Sequence, residues 1–256
     1  MSGQWPGGSG ARETYDAYAA AYDDFNSGYM YERWTGRLLE KAEGAGARRG
    51  RLLDVGCGTG LSFLPMLDRG WQVIACDISP RMLEIAREKA GDRAELVVAD
   101  MRELPRLGEF DLVWAVNDAM NYLLSGEELE TTLAGMRRNL TPEGVVLFDL
   151  NTLATYRSFF SCEIAREEKG RSFVWQGQMS AEEVAPGSIS EARFEVKGEA
   201  GSAHVHRQRH FPEREVVDAI EAAGLRCAGV FGEMDGELTP GVDEERQTKA
   251  VYVCRP

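Results

Sequence analysis

The sequence predicts an α/β fold: a doubly wound, mainly parallel sheet of seven strands, with an antiparallel β insert that forms a cap. Three observations predict it. Apolar strand segments alternate with helical segments up to residue 150, a glycine-rich turn follows the first strand, and residues 151–210 contain strands with no helix between them. Strands alternating with helices indicate a parallel sheet covered on both faces, with right-handed crossovers.

Length and composition indicate a soluble globular protein. The 256 residues can bury a full core, and 43% are hydrophobic and 28% charged. No apolar run reaches the roughly 20 residues of a membrane helix. Residues 1–10 lack the basic start and apolar stretch of a signal peptide, so we expect a disordered leader and a cytoplasmic location. Five scattered cysteines without a CxxC pair argue against a disulfide framework.

The charge balance bears on the class of partner. The formal net charge is -13 and the pI is near 4.8. Affinity for nucleic acids depends mainly on neutralising phosphates with Lys and Arg, so this acidity disfavours a DNA or RNA substrate. We therefore expect a small-molecule substrate, with no nucleic-acid or membrane partner, and the oligomeric state stays open.

Residues 11–50 are expected to form lid helices. Large apolar residues recur at helical spacing from Tyr15 to Phe25, which predicts an amphipathic helix with one aromatic stripe. A second helix is expected over 31–41, and the glycines of 44–50 end it.

Residues 51–150 are expected to form the α/β core. Apolar segments predict strands at 51–55, 71–76, 96–99, 110–116 and 145–150. Ser79 followed by Pro80 predicts a capped helix that runs to about residue 90. Ser125 and Glu128 form the pattern of a capping box for a further helix.

The alternation of strands and helices stops after residue 150. Segments 171–179, 189–196 and 203–211 predict three antiparallel strands, which define the cap insert at 151–210. Residues 211–256 are expected to return to the core sheet. Pro212 begins a helix that Gly224 ends, and strands near 225–231 and 248–254 follow.

The segment DVGCGTG, residues 54–60, follows the first strand and is expected to open a helix. Open parallel sheets bind ligands at this edge. A dinucleotide fingerprint needs GxGxxG, but here the third glycine comes one residue early and Leu61 holds its expected place. This spacing, and the absence of a YxxxK pair, disfavours the competing class of nicotinamide-dependent oxidoreductase.

The segment resembles motif I of the class I SAM-dependent methyltransferases, where SAM is S-adenosylmethionine, and this resemblance implies a Rossmann-like fold. Further polar residues end the next three predicted strands: Asp77, then Asp100 with Met101, then Asn117 with Asp118. The carboxyl ends of parallel strands meet at one edge, so these side chains are expected to share one site.

The chemistry of SAM matches this series. The Asp77 carboxylate can accept both ribose hydroxyls, and Asp100 can accept from the adenine amino group. Ile78 and Met101 are expected to sandwich the adenine ring. The resemblance further assigns Asp54 to the neighbourhood of the methionine ammonium and the Gly56 and Gly58 backbones to the methionine portion. Asn117 is a further cofactor candidate at the same edge.

The N-terminal YDAYAAAYDDF resembles the lid helix of small-molecule methyltransferases, in which tyrosines close over SAM. Tyr15 and Tyr22 are the candidates, and Trp34 is a third cofactor contact. The alternative is that these aromatic residues only pack helices onto the sheet.

The acceptor is less defined. The [ND]PP[YF] motif of nucleic-acid amino-methyltransferases is absent, because residues 117–120 read NDAM. The insert resembles the cap of glycine and amino-sugar N-methyltransferases, so the acceptor is expected to be an amine or a hydroxyl. The candidates for catalysis are Asp118, Tyr122 and His206. The candidates for substrate binding are Asn121, Trp175 and Arg209.

All three histidines, at 204, 206 and 210, share one strand face with Gln208. The pattern leaves open a solvated face, a substrate contact through His206, or a metal site. No Cys or acidic residue lies at ligand spacing, so no metal is expected. A SAM-binding regulatory subunit without turnover is the remaining alternative function.

Overall fold

The computed structural model describes residues 10–256; apart from Gly10, the expected leader lies outside the described residues. The helices are α1 (Ala11–Phe25), α2 (Tyr31–Gly44), α3 (Leu64–Asp68), α4 (Pro80–Ala90), α5 (Gly126–Arg138), α6 (Leu153–Phe159) and α7 (Glu213–Ala222). The strands are β1 (Arg51–Val55), β2 (Gln72–Asp77), β3 (Ala94–Val98), β4 (Phe110–Ala115), β5 (Leu140–Asn151), β6 (Glu163–Glu168), β7 (Arg171–Gly177), β8 (Ile189–Val196), β9 (His204–Arg209), β10 (Arg226–Met234), β11 (Glu237–Pro240) and β12 (Lys249–Arg255).

The main sheet has the order β11-β10-β12-β5-β4-β1-β2-β3. Strands β1 to β5 are parallel to one another, whereas β12 is antiparallel to β5 and β10 is antiparallel to β12. The doubly wound, mainly parallel sheet is therefore confirmed, and the short edge strand β11 adds an eighth strand to the seven expected. The strand order reverses between β1 and β4, which is where such sheets bind ligands.

Two layers of helices cover this sheet. On one face the core includes Leu133 of α5 and Ile220 of α7, and on the other it includes Leu38 of α2 and Leu83 of α4. The capping residues act as expected: the Ser79 hydroxyl accepts from the N–H of Met82 at 3.1 Å. Ser125 Oγ accepts from the Glu128 N–H, but the Glu128 carboxylate accepts from Leu124 N–H instead of closing the box on Ser125.

The insert forms a separate antiparallel sheet, β6-β7-β8-β9, called the cap sheet below. Its three expected strands are present with no helix between them, and α6 and β6, which were not expected, precede them. Helix α6 has only seven residues. In β6 no residue is fully buried, so this edge strand lacks the apolar alternation that would have predicted it.

Helix α1 lies between the cap sheet and the core. Its Asp16 accepts from the Ser79 hydroxyl of the core at 2.6 Å, and its Asp24 accepts from Arg171 of the cap sheet at 2.7 Å. Tyr18 packs on Phe194 of β8, with ring centroids 4.7 Å apart. The helix is therefore joined to both layers. No helix among residues 10–256 is long and apolar enough to cross a membrane.

Candidate active site

Two cavities meet at the carboxyl edge of the main sheet. The first cavity, of about 240 Å³, lies over β1, β2 and β3, and the second cavity, of about 360 Å³, lies between α1 and the cap sheet. The predicted residues that line the first cavity are Tyr15, Tyr22, Gly56, Gly58, Asp77, Ile78, Asp100, Met101, Asn117 and Tyr122. Those that line the second are Tyr15, Tyr22, Asn117, Asp118, Tyr122, Trp175 and His206.

The glycine loop forms the floor of the first cavity. Gly56 and Gly58 have φ values of +73° and +54°, which side chains rarely adopt. A Cβ on Gly56 would lie 2.9 Å from the Cβ of Ala119, so only glycine fits. These turns also delay the following helix: α3 begins at Leu64, four residues after the loop ends, which corrects the expectation that the loop opens directly into a helix.

Asp77 ends β2 at the wall of the first cavity. Its Oδ1 accepts from the Ser79 N–H and its Oδ2 from the Gly58 N–H, both at 2.8 Å. Only 8% of the residue is exposed, and burial raises the pKa of Asp77 to about 6. Each carboxylate oxygen keeps lone-pair capacity for a further donor, as two vicinal hydroxyls require.

Asp54 does not line either cavity. It lies beneath the loop with 1% of its surface exposed, its Oδ2 accepts from the Ser62 hydroxyl at 2.6 Å, and burial raises its pKa to about 7. Ser62 reaches the first cavity in its place. Asp54 therefore does not reach the cavity wall itself, and its expected place near the methionine ammonium, directly or through water, stays a prediction.

Asp100 and its neighbours line the far side of the first cavity. Arg102 donates to both carboxylate oxygens of Asp100, and this pair lowers the pKa of Asp100. Ile78 and Met101 lie on the same cavity, as expected for residues that enclose a ring. Arg102 also lines the cavity and was not predicted, since nothing in its sequence position distinguishes it from a surface arginine.

A strained turn joins the two cavities. Asn117 and Asp118 are consecutive non-glycine residues in the left-handed region, with φ values of +59° and +57°. The fully buried Asp149 of β5 holds this turn, because its carboxylate accepts from both backbone N–H groups at 3.0 and 2.7 Å. Such strain tends to cluster at functional sites.

The Asp118 side chain faces the second cavity. Its Oδ2 accepts from Gln208 at 2.7 Å, and its Oδ1 lies 3.5 Å from the Lys249 Nζ. Burial by itself would lower the pKa of Lys249. The nearby carboxylates of Asp149 and Asp118 have the larger combined effect, so the pKa of Lys249 is raised. Asp149 and Lys249 were missed, since their roles depend on the pairing of β5 with β12.

Three tyrosines of the N-terminal region separate the cavities. Tyr15, Tyr22 and Tyr31 line both of them, and the Tyr22 and Tyr31 hydroxyls lie 3.5 Å apart. Tyr15 and Tyr22 therefore lie where the two cavities meet, and their contact with SAM stays a prediction. Trp34 was misplaced: it is 5% exposed, packs in the core with Leu38 and lines neither cavity. Tyr31, one turn earlier on α2, reaches the site instead.

The histidine face is buried, which excludes a solvated strand face. His204, His206, Gln208 and His210 are each exposed by 4% or less, because α1 and α6 cover β9. His206 Nδ1 is bonded to the Tyr122 hydroxyl at 2.5 Å, and its Nε2 lies 3.1 Å from His204 Nε2. Among residues 10–256, no group of three His, Cys, Asp or Glu side chains is placed to hold a metal ion.

Two predicted substrate contacts do not line the second cavity. Asn121 is fully buried, and its amide is used by the Arg209 carbonyl and the Asn151 N–H. Arg209 forms two hydrogen bonds with Glu215 of α7 at 2.7 and 3.0 Å. Both residues therefore fasten the cap to the core. Trp175 does line the second cavity, and its ring centroid lies 5.1 Å from that of His206.

Comparisons with known proteins place this geometry in a family. Residues 52–144 match a methyltransferase domain. A protein of Geobacillus sp. (strain WCH70), provisionally named a methyltransferase, is 30% identical over 249 residues, covering 94% of this chain and 99% of the relative. The dTDP-3-amino-3,4,6-trideoxy-alpha-D-glucopyranose N,N-dimethyltransferase of Streptomyces venezuelae is 31% identical, covering 72% and 79%. A SAM-dependent methyltransferase structure from Clostridium acetobutylicum has a TM-score of 0.76 at 19% identity, covering 94% and 98%.

The fold and the site thus define a class I methyltransferase. The chain belongs to the SAM-dependent methyltransferase family, it is an enzyme, and its cofactor is SAM. The first cavity fits that cofactor on its own geometry. Within the described residues, the buried Asn117 Oδ1 has no hydrogen-bond partner, and Asp77 keeps acceptor capacity at the cavity wall.

Proposed function

We propose that this enzyme transfers a methyl group from SAM to the nitrogen of a small-molecule amine bound in the second cavity. The observation that carries the proposal is the Asp118 carboxylate, which faces the second cavity beside the tyrosines shared with the first cavity. A carboxylate here attracts an ammonium ion and can take its proton. The relative from Streptomyces venezuelae, named for an amino-sugar nucleotide, supports an amine.

In this proposal the first cavity holds SAM. Asp77 binds the ribose hydroxyls, Asp100 accepts from the adenine amino group, Ile78 and Met101 enclose the ring, and Asn117 accepts from the methionine ammonium. When bound, SAM supplies a methyl group already activated by its sulfonium. The protein then needs mainly to hold a nucleophile in line and to exclude water.

The second cavity provides that positioning. Tyr15, Tyr122 and Trp175 offer apolar faces for the carbon skeleton of the acceptor, and the cap at residues 151–210 sets which acceptor fits. The side chains around Asp118 hold its carboxylate in place: Gln208 donates to it, and Lys249 keeps a positive charge beside it.

An amine must lose a proton before it can attack. We assign that proton to Asp118, whose side chain lines the second cavity and is 32% exposed to solvent. His206 does not suit this role. Both of its ring nitrogens already have hydrogen-bond partners. Burial, and to a smaller extent the neighbouring His204, lowers its pKa well below the usual range. It acts instead by holding Tyr122.

Turnover of a panel of amines, amino sugars and phenols tests the proposal, with S-adenosylhomocysteine and the methylated product detected by mass spectrometry. An amine should be methylated, and Asp118→Asn should lower kcat/KM about 100-fold, the usual size of a general-base contribution. Asparagine tolerates the left-handed backbone, so the turn should persist. SAM affinity should stay within twofold of wild type.

Asp218→Asn is the matched control, because that carboxylate lies on the exposed side of α7, where it pairs with Arg214. Its turnover should equal that of wild type. Methylation of phenols in preference to amines would overturn the assignment of nitrogen. Binding of SAM with no product from any acceptor would instead favour a regulatory SAM-binding subunit.

A further inference from the structure

A continuous chain of hydrogen bonds runs from the boundary of the two cavities into the cap sheet. It passes from the Tyr122 hydroxyl to His206 Nδ1 at 2.5 Å, from His206 Nε2 to His204 Nε2 at 3.1 Å, and from His204 Nδ1 to the Ser202 carbonyl at 2.6 Å. His204 lines neither cavity, so the function proposed above gives it no role.

Both imidazoles are neutral in this position. Burial lowers the pKa of His204 to about 4, and burial together with the adjacent His204 lowers the pKa of His206 well below its usual range. A neutral imidazole has one N–H donor and one bare acceptor nitrogen. The direction of every bond in the chain therefore follows once a single one is known.

The Ser202 end fixes that direction. A carbonyl oxygen can only accept, so His204 Nδ1 carries the proton and His204 Nε2 is bare. His206 Nε2 must then donate to it, which leaves His206 Nδ1 bare. The partner of that nitrogen, the Tyr122 hydroxyl, must donate in turn, so its only proton is used in the bond to His206.

We propose that His204 is a positioning residue: by fixing the tautomer of His206 it makes the Tyr122 oxygen purely a hydrogen-bond acceptor toward the substrate. The inference rests on the proposed amine methylation. A substrate N–H that donates to Tyr122 is held with its lone pair free for the methyl group. A Tyr122 hydroxyl turned the other way would donate to that lone pair and block the attack.

The chain does not carry the reaction's proton away. Receiving it would place a cation on a buried imidazole, which the environment of both histidines disfavours. The role of His204 is thus orientation, and it selects acceptors that present an N–H.

His204→Phe removes the acceptor nitrogen and keeps a flat ring beside Tyr18 and Phe194. His206 should then move its proton to Nδ1 and donate to Tyr122. We expect kcat to fall about tenfold, the value of one oriented hydrogen bond, with SAM affinity unchanged. His204→Gln restores an acceptor oxygen toward His206 and should recover most of the turnover.

Nitrogen-15 NMR of the imidazole rings gives a readout that needs no acceptor, and with three histidines in the chain each ring can be assigned from single variants. Wild type should show His206 protonated at Nε2, and His204→Phe should show it protonated at Nδ1. His210→Gln is the control, because His210 contacts Gly187 and Glu244 and takes no part in the chain of hydrogen bonds.

A His206 protonated at Nδ1 in wild type would overturn the inference, as would wild-type kcat in His204→Phe. If no amine is methylated by wild type, the proposed function fails while the tautomer measurement still decides the direction of the chain. Loss of turnover in His204→Phe that His204→Gln does not recover, with an unchanged His206 tautomer, would show a structural role only.

Discussion

Replacing Asp77 with alanine tests how the first cavity holds SAM. Both carboxylate oxygens already accept a backbone N–H at 2.8 Å, and each can accept one ribose hydroxyl in addition. Hydrogen bonds to a charged group contribute about 1.5 to 3 kcal/mol. The Asp77→Ala variant should therefore bind SAM about 10- to 150-fold more weakly.

The free protein should keep its stability in this variant, because two effects oppose each other. Burial raises the pKa of Asp77 from 3.8 to about 6, so its ionisation at pH 7 costs about 3 kcal/mol of folding free energy, which alanine removes. The N–H groups of Gly58 and Ser79 lose their acceptor, at about 1 to 3 kcal/mol each. The melting temperature should shift by only a few degrees.

The raised pKa also makes SAM binding dependent on pH. The ribose hydroxyls bind the carboxylate, so below about pH 6 the complex must release the proton that free Asp77 holds. Affinity should rise with pH up to about 6 and then level off. In the free protein the sign is opposite: ionisation of this buried acid lowers stability as the pH rises from about 4 to 6.

Calorimetric titration with SAM between pH 5 and 8 measures the loss of affinity in Asp77→Ala and the pH dependence of SAM binding. Asp68→Ala is the matched control, since that carboxylate is exposed and pairs with Arg93 at the surface. Wild-type affinity in Asp77→Ala, or the same pH dependence in that variant as in wild type, would refute the role given to this residue.

Two further predictions concern the cofactor and the cap. SAM at about 100 times its Kd should stabilise the protein by about 2.7 kcal/mol in a melting experiment, whereas NAD should not; stabilisation by NAD alone would exclude the assigned cofactor. Trp175→Leu should change acceptor kcat/KM with SAM affinity near wild type, and Gln176→Ala, the exposed neighbour on the opposite strand face, should change neither. Unchanged acceptor kinetics in Trp175→Leu would leave the cap a structural element only.

Local patterns predicted most of the core. Strand β1 and helix α4 have the bounds that the sequence indicated, because apolar segments and the Ser79-Pro80 cap mark their ends. The residues after β2, β3 and β4 meet at one edge because parallel strands share their direction. That rule correctly brought Asp77, Met101 and Asn117 together at the wall of the first cavity.

The second cavity could be predicted only in part, because its residues come from distant segments. The histidine pattern was visible in the sequence, but its burial depends on α1 packing over β9. Arg209 and Asn121 looked like substrate contacts, yet their partners lie in α7 and β5, and no local spacing indicates those pairs. The prediction that Trp34 contacts the cofactor was wrong for a related reason. Trp34 lies one turn after Tyr31 on α2, and its side chain faces the core instead of the cavities.

The two chain segments that connect the core to the cap insert lie side by side. Asn151, at the end of β5, donates to Gln208 of β9 at 3.0 Å, so the insert leaves and rejoins the core at neighbouring points. The two ends of the insert are therefore neighbours in space although they are far apart in the chain. Because Thr14 and Asp24 tie α1 to the cap sheet, a change in the cap also changes the surroundings of that helix. Under the proposed function, acceptor choice therefore depends on two separate segments of the chain, helix α1 and the cap insert.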